Sequence, residues 1–265
     1  MKNRPIGIFD SGVGGLTVVK QMFKKLPKEE IVYLGDTARV PYGTKSPETI
    51  KKYSVENANF LMKFRVKLIV VACNTASSTS LDVLREKFSI PIVGVIKPGA
   101  EKAVQITRNN KVGIIGTYTT VKSKAYEKEI GHFSRDVEAV SKACPLFVPL
   151  VEEGWLKEEV TFDIVKKYLK PLIAKKIDTL ILGCTHYPLL KPVISRVAGR
   201  HVKIVDSASS VADEVHNILM ALGKLSEQKK PRHKFFATDA VEHFVRIGEK
   251  FLGTKIHRAE RANYV

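Results

Sequence analysis

The sequence contains little cysteine and no long apolar run. It has 3 cysteines in 265 residues, and so small and odd a number argues against a disulfide framework. No apolar run approaches the ~18–20 residues of a membrane-spanning helix. The first residues lack the apolar stretch and the cleavage site of a signal peptide. These absences indicate a cytoplasmic protein with reduced thiols and no membrane partner.

Phosphate-binding motifs are also absent. The glycines after the first apolar run read Gly12-Val13-Gly14-Gly15. They do not fit the G-x-G-x-x-G dinucleotide fingerprint, and no G-x-x-x-x-G-K-[S/T] occurs. Asp10, which stands just before them, would repel a phosphate. Two interpretations of Asp10 stay open, namely pairing with an ammonium group and capping of the following helix.

Negative charge is scarce relative to positive charge. Lys and Arg number 44 against 27 Asp and Glu, so the formal net charge is +17. The basic residues are spread along the chain, and the densest run lies at residues 229–234. We favour a lysine-rich solvated surface over a nucleic-acid partner as the explanation. A positive field would also attract a small anionic substrate.

Short runs of Ile, Val and Leu alternate with longer amphipathic segments. This alternation predicts an α/β fold in which mostly parallel sheets are flanked by helices. Because the runs are continuously apolar, both faces of the strands should be buried. Two of the predicted helices span residues 47–64 and 161–175. The predicted strands span residues 6–9, 31–34, 68–72, 92–96, 112–115, 180–183 and 202–205, with late strands at 235–238 and 255–257 around a final helix.

A weak internal repeat relates the two halves of the chain. Ile6-Gly7-Ile8-Phe9 and Val112-Gly113-Ile114-Ile115 each open a strand–loop–helix unit. Cys73 precedes Val93, within the next predicted strand, by 20 positions, and Cys184 precedes Ile204, within its next predicted strand, by 20 positions as well. The repeat favours two similar α/β domains with a cleft between them. The alternative is that α/β chains in general look self-similar.

Cys73 and Cys184 occupy matching places in these halves. Each follows an apolar strand at the point where a helix should begin. A helix N-terminus favours the thiolate form of a cysteine. The edge where such strands end is also where ligands bind in α/β sheets. The pairing therefore predicts two bases that face each other across the cleft.

Polar neighbours of the thiols complete the predicted site. Asn74, Thr75 and Thr185 offer donors that suit a carboxylate. His186 is either a base for the thiol or a proton relay. A C-x-x-C redox motif and a zinc cluster do not fit the spacing, so we predict no metal site. Cys144 lacks such neighbours and should be structural.

Three further candidates each have two open interpretations. Tyr42, in the predicted loop 35–43, would bind a ligand or simply pack. Thr117, at the second domain's equivalent of the Asp10 loop, would cap a helix or bind an anion. Glu152, near a predicted strand end, would be a solvated acid or would point into the cleft as part of the catalytic group.

Four motifs follow one another along essentially the whole chain. They are Gly7-Ile8-Phe9-Asp10-Ser11-Gly12-Val13-Gly14-Gly15-Leu16, then Gly35-Asp36 with Pro41-Tyr42-Gly43, then Ala72-Cys73-Asn74-Thr75-Ala76-Ser77, then Gly183-Cys184-Thr185-His186-Tyr187-Pro188. In this order they resemble the glutamate racemases. Aspartate and hydantoin racemases share the two-cysteine plan but differ around Asp10 and Tyr42, so the resemblance favours glutamate.

The resemblance implies an activity and an architecture. The activity is a cofactor-independent interconversion of L- and D-glutamate, without pyridoxal phosphate or metal, that supplies D-glutamate for peptidoglycan. The implied first domain is discontinuous and consists of residues 1–97 and 208–265, and the second consists of residues 98–207. The resemblance also implies an active site between the domains and a homodimer. A related racemase acting on another acid is the alternative.

The resemblance further implies a role for each site residue. Cys73 would serve one enantiomer and Cys184 the other, and Asp10 and His186 would assist the respective thiols or bind the ammonium group. The α-carboxylate and the ammonium group would be held by Ser11, Asn74, Thr75 and Thr185. The side-chain carboxylate would be held by Tyr42, Gly43 and Thr117, and Pro41 would also belong to the substrate-binding site.

Overall fold

The computed structural model describes residues 2–263, and it is an α/β structure throughout. Within that range it contains ten strands and eleven α-helices. The strands are β1 (Ile6–Asp10), β2 (Ile31–Gly35), β3 (Leu68–Val71), β4 (Ile92–Gly94), β5 (Lys111–Gly116), β6 (Glu138–Ala143), β7 (Thr179–Gly183), β8 (Lys203–Asp206), β9 (Lys234–Ala237) and β10 (Glu260–Arg261).

Helices occupy most of the connections between strands. Local signals set their ends: Ser46 accepts a hydrogen bond from the backbone N–H of Thr49 and Pro47 begins the next helix, as expected of an N-terminus. The helices are α1 (Leu16–Lys25), α2 (Pro47–Met62), α3 (Asn74–Lys87), α4 (Ile96–Ile106), α5 (Tyr118–Ser123), α6 (Ala125–Phe133), α7 (Phe147–Glu152), α8 (Glu159–Ala174), α9 (Lys191–Ala198), α10 (Ser207–Ala221) and α11 (Val241–Leu252).

The strands form two sheets. The first has six strands in the order β10-β9-β2-β1-β3-β4, and the second has four in the order β6-β5-β7-β8. Every pairing is parallel, and helices cover the sheets. The predicted class of two similar α/β domains is therefore confirmed, with sheets that are wholly rather than mostly parallel.

The two sheets repeat one strand order. The run β2-β1-β3-β4 of the first sheet corresponds to β6-β5-β7-β8 of the second. The repeated segments noted in the sequence form β1 and β5, the inner strands of these runs. Cys73 follows β3 and Cys184 follows β7, so the two thiols leave equivalent strands. Parallel strands that end at one sheet edge place both thiols at the ligand-binding edges.

The observed strands differ from the predicted ones at three places. The sequence pattern does not reveal β6, because it is an edge strand with half-exposed residues and so carries no apolar run. The strand predicted at residues 255–257 is irregular, and the last pairing forms instead at Glu260–Arg261 with β9. The apolar run at 92–96 divides, because its last residue already begins α4.

The two halves meet through helices and through a shared core. α10 packs on α1 and on α4, and one apolar cluster includes Leu16, Val19, Val211 and Val215. The domain division after residues 97 and 207 stays a prediction. Of the residues assigned to the first predicted domain, Met1, Tyr264 and Val265 lie outside the described range. Among residues 2–263, no helix combines the length and apolarity that crossing a bilayer requires.

Candidate active site

A cavity of about 400 Å³ lies between the two sheets, and both Cys73 and Cys184 line it. The thiols are thus brought to one space although they are far apart in sequence. The other predicted site residues that line the cavity are Ser11, Pro41, Tyr42, Gly43, Asn74, Thr75, Thr117, Glu152, Thr185 and His186. Asp10 is the predicted residue that does not line it.

Cys73 sits between the end of β3 and the first turn of α3. Its Sγ lies 3.7 Å from Ser11 Oγ. Burial, and to a lesser extent the negative charge of Asp10, raise the pKa of the Cys73 thiol to about 12. A hydrogen bond from the backbone N–H of Ala76 acts in the opposite direction. Cys73 is therefore a neutral thiol at neutral pH, suited to donate a proton.

Asp10 ends β1 and is fully buried. Its Oδ2 accepts a hydrogen bond from the backbone N–H of Gly12 at 3.0 Å, and Oδ1 has no partner among the described residues. Burial raises the pKa of Asp10, opposed by the charge of His186. Helix capping does not explain Asp10, because α1 begins at Leu16 after Gly15.

Cys184 follows β7 but does not begin an α-helix. A short 3₁₀ helix covers Tyr187–Leu190 and α9 starts only at Lys191, so the expected strand-to-helix junction is correct for Cys73 and wrong for Cys184. In place of a helix N-terminus, Cys184 has the ring of His186 as its neighbour, and Nδ1 of that ring lies 3.9 Å from Cys184 Sγ. The second thiol thus faces an imidazole rather than a helix N-terminus.

His186 links Cys184 to Glu152. Its Nε2 lies 2.8 Å from Glu152 Oε1. Burial disfavours the imidazolium, but hydrogen bonds with Cys184 and Glu152 outweigh it and raise the pKa of His186 to about 10. Burial by itself would raise the pKa of Glu152, but the hydrogen bond to His186 and the charges of His186 and His243 together lower it. His186 is thus a cation at neutral pH.

Glu152 lies in a different element from the one expected. It is the last residue of α7, not a residue near a strand end. Its side chain remains 42% exposed while it bonds to His186. Each of the two open interpretations therefore holds in part, since Glu152 is both partly solvated and directed at the site.

The hydroxyl of Tyr42 belongs to a buried hydrogen-bond network. It is hydrogen-bonded to Asp36 and accepts from Asn57 Nδ2 at 3.1 Å. Arg39 pairs with the same Asp36 carboxylate at 2.8 Å. This network fixes the loop on which Pro41 to Gly43 line the cavity. The sequence analysis assigned no role to Asp36, although Asp36 stands directly after a buried strand.

Threonines from the second sheet close one side of the cavity. Thr117 Oγ1 lies 2.9 Å from Thr75 Oγ1, and Thr119 donates to the carbonyl of Gly43 at 2.9 Å. A Cβ on Gly43 would come within 2.8 Å of Thr117 Cβ, so glycine permits this approach. Thr117 also caps α5, because its Oγ1 accepts from the N–H of Thr120.

The family model described as Asp/Glu/Hydantoin racemase matches residues 6–215. The chain belongs to this family. It is 53% identical over 256 residues to a glutamate racemase of Geobacter metallireducens, covering 96% of this chain and 94% of that one. The resemblance to glutamate racemases is thereby confirmed, and the chain is an amino-acid racemase, an isomerase.

Solved structures agree with this assignment. Glutamate racemase isoform RacE1 from Bacillus anthracis superposes with a TM-score of 0.96 at 42% identity and covers 99% of this chain and 98% of its own. The glutamate racemase of Francisella tularensis in complex with D-glutamate gives 0.94 at 39% identity, with coverage of 99% and 98%. The fold of this racemase family is present along the described chain.

Some cavity residues of this racemase escaped the sequence analysis. They share loops with predicted residues or lie near the start of α7, where no motif drew attention to them. They are Val40, Thr44, Tyr118, Pro145, Val148 and Pro149, whereas Gly12, which also lines the cavity, belongs to the glycine motif already seen in the sequence. Cys144 does not line the cavity and is buried, with Sγ 3.6 Å from the carbonyl of Lys142.

Charge within the cavity is limited. Of the residues in the range 2–263, no lysine or arginine lines it, and its side-chain donors are hydroxyl, amide, thiol and imidazole groups. In the same range, no group of three or more His, Cys, Asp and Glu side chains is arranged to hold a metal ion. What the arrangement offers is proton transfer at two sulfurs, together with hydrogen-bond donors for an anionic ligand.

Proposed function

We propose that this racemase interconverts L- and D-glutamate with Cys73 and Cys184 as the two bases. The observation that carries the proposal is the single cavity lined by both thiols, which leave equivalent strands of the two sheets. Two further facts support glutamate as the substrate, namely the 53% identity to a glutamate racemase and the related structure that holds D-glutamate.

Racemisation requires the α-proton to leave one face of the carbon and another to arrive on the opposite face. A thiolate on one side takes the α-proton, so that an S–H bond forms while the C–H bond breaks. The electron pair stays on the carbon and its carboxylate. The thiol on the other side then gives its proton to the carbon, which leaves the two sulfurs with exchanged protonation states.

The surroundings of the sulfurs favour one resting state. Burial and Asp10 keep Cys73 as a neutral thiol, with a pKa of about 12. Cys184 instead has the ring of His186 beside it, with Nδ1 3.9 Å from its Sγ. We therefore propose that Cys73 is the proton donor and Cys184, assisted by His186, the base when the first substrate arrives.

The carbanion intermediate needs stabilisation without pyridoxal phosphate or a metal in this proposal. Donors along the cavity wall would hold the α-carboxylate and its growing negative charge. The first backbone N–H groups of α3 lie at the positive end of its helix dipole, which also favours an anion. The residues proposed for the α-carboxylate and ammonium group are Ser11, Asn74, Thr75 and Thr185. The backbone N–H groups of Tyr42 and Gly43 and the hydroxyl of Thr117 are proposed for the side-chain carboxylate, and Pro41 lines the cavity beside them. Asp10 and His186 assist the thiols.

The biological setting is proposed from the family. The chain would act in the cytoplasm as a homodimer and supply D-glutamate for peptidoglycan. We also propose the domain division of residues 1–97 with 208–265 and residues 98–207, which agrees with the strands of each sheet. The net charge of +17 would then attract the glutamate anion rather than a nucleic acid.

The test follows the circular dichroism of L-glutamate with purified protein, chelator and no added cofactor. We expect the signal to decay to zero as the racemate forms. Cys73→Ala and Cys184→Ala should each lower the rate by at least about 100-fold, because each removes the proton transfer on one face. Cys144→Ala is the matched control and should retain the rate.

Two results would contradict the proposal. A constant signal from well-folded wild-type protein would exclude glutamate racemisation. Near-full turnover by either single-cysteine variant would exclude the two-base assignment. Rates on aspartate and hydantoins, measured beside glutamate, test the alternative that another acid is the substrate.

A further inference from the structure

A buried chain of hydroxyl groups connects the second sheet's helices to Asn74. Tyr126, on α6, is 1% exposed and its hydroxyl donates to Asn74 Oδ1 at 2.7 Å. The same hydroxyl lies 3.0 Å from Ser207 Oγ, and Ser207 Oγ lies 3.0 Å from the carbonyl oxygen of Leu182. The sequence pattern does not indicate these contacts, because their partners come from three separate helices and a strand.

The hydrogens in this chain determine what Asn74 offers to the cavity. Tyr126 has a single hydroxyl hydrogen, and it is directed to Asn74 Oδ1. Ser207 supplies its own hydrogen to the Leu182 carbonyl or to the Tyr126 oxygen. Because the carbonyl oxygen of the Asn74 amide is held by Tyr126, the Nδ2 hydrogens are the part of the amide left for the cavity that Asn74 lines.

The ring of Tyr126 also contacts the segment that carries the second thiol. A Cβ on Gly183, the residue before Cys184, would lie 3.1 Å from Tyr126 Cε2. The tyrosine thus touches the segment that carries Cys184 with its ring and the neighbour of Cys73 with its hydroxyl. Tyr126 therefore lies outside the cavity, at a position from which it can set the geometry of the residues that line it.

We propose that Tyr126 is a positioning residue for racemisation, which rests on the proposed function. Its hydroxyl holds the Asn74 amide in the orientation whose Nδ2 donates to the α-carboxylate of the amino acid. In the opposite orientation the amide oxygen would face that carboxylate and repel it. The α-carboxylate takes on charge in the carbanion, so a correctly oriented donor matters most there.

The experiment combines Tyr126→Phe, Asn74→Ala and the double variant. Tyr126→Phe keeps the ring and removes only the hydroxyl. Its kcat/KM for glutamate should fall about 10-fold, as expected for a weakened hydrogen bond to a charged group. The fall should be equal for L- and D-glutamate, because no variant changes the equilibrium constant. In the Asn74→Ala background the same substitution should cause no further loss.

The matched control is Ser54→Ala, which removes a buried hydroxyl that bonds to Ser80 of α3 at 3.0 Å. It should keep kcat/KM, and thermal unfolding checks that all variants fold. A Tyr126→Phe variant as active as wild type would refute the role of Tyr126. Equal losses in both backgrounds would also refute it, since Tyr126 would then act by packing and not through Asn74. A wild-type protein inactive on glutamate would instead refute the proposed function itself.

Discussion

His186 and Glu152 form a pair in which Nε2 lies 2.8 Å from Oε1, and the other nitrogen of the same ring faces Cys184. The pair couples a partly exposed carboxylate to a buried thiol through one imidazole. Its consequence is a histidine whose pKa is raised to about 10, so the charge beside Cys184 persists across the neutral range.

Glu152→Gln should move the alkaline limit of activity to lower pH. The raised pKa means that the His186 cation is present below about pH 10 and is lost as the pH rises through that value. Removing the carboxylate takes away one of the interactions that raise the pKa, so the cation is lost earlier. The measurement is the pH profile of kcat/KM. Glu153→Gln, one residue further on and exposed, should keep the wild-type profile, whereas an unshifted profile in Glu152→Gln would contradict the coupling.

Asp10→Asn should make Cys73 more reactive towards alkylation at alkaline pH. Burial and the charge of Asp10 raise the pKa of Cys73 to about 12. Without the charge, the pKa falls and more thiolate forms at a given pH. The rate of carbamidomethylation of Cys73, followed by mass spectrometry across pH, measures this. Asp82→Asn, which removes a charge further along α3, should leave the rate unchanged. Slower alkylation in Asp10→Asn would contradict the electrostatic effect.

Gly14→Ala should disable the site through its side-chain neighbours. A Cβ at this position would lie 2.2 Å from Thr185 Oγ1 and 2.6 Å from His186 Nδ1. Both groups must shift, and a displacement of this size near reacting groups costs about 100-fold in rate. Gly131→Ala is the control, because a Cβ there meets open space within α6. It should keep the rate and stabilise the protein by up to about 1 kcal/mol. Full activity in Gly14→Ala would show that the close approach at Gly14 has no functional consequence.

Lys67→Met should destabilise the protein strongly without touching the site. Lys67 and Glu29 are 2% exposed and their charged atoms lie 2.6 Å apart. Removing the lysine leaves a buried carboxylate without its partner, which costs about 3–5 kcal/mol in the free energy of unfolding. Urea denaturation measures this loss. The double variant Glu29→Gln/Lys67→Met should regain part of it.

An exposed pair provides the comparison for that prediction. Lys25 and Asp213 lie 2.7 Å apart with side chains 44% and 58% exposed. Lys25→Met should therefore cost about 1 kcal/mol or less. Equal losses from Lys67→Met and Lys25→Met would contradict the importance of burial.

The sequence by itself determined the class of fold and most of the cavity wall. Buried parallel strands appear as continuous apolar runs, so β1 and β5 were visible, and the residues just after such strands must reach the ligand-binding edge. Cys73 and Cys184 were predictable for this reason. β6 was not, because an edge strand with half-exposed side chains needs no apolar run.

Only the tertiary structure decided which polar groups act on one another. Glu152 and His186 are separated by 34 positions, and Asn74 and Tyr126 are separated by 52. Glu29 and Lys67 precede two different strands of the first sheet. Neither periodicity nor spacing encodes such pairs, because their contact depends on how two sheets and their helices pack together. The same packing buries the groups and so shifts their pKa values, which is why the protonation states of the site became visible only in the folded protein.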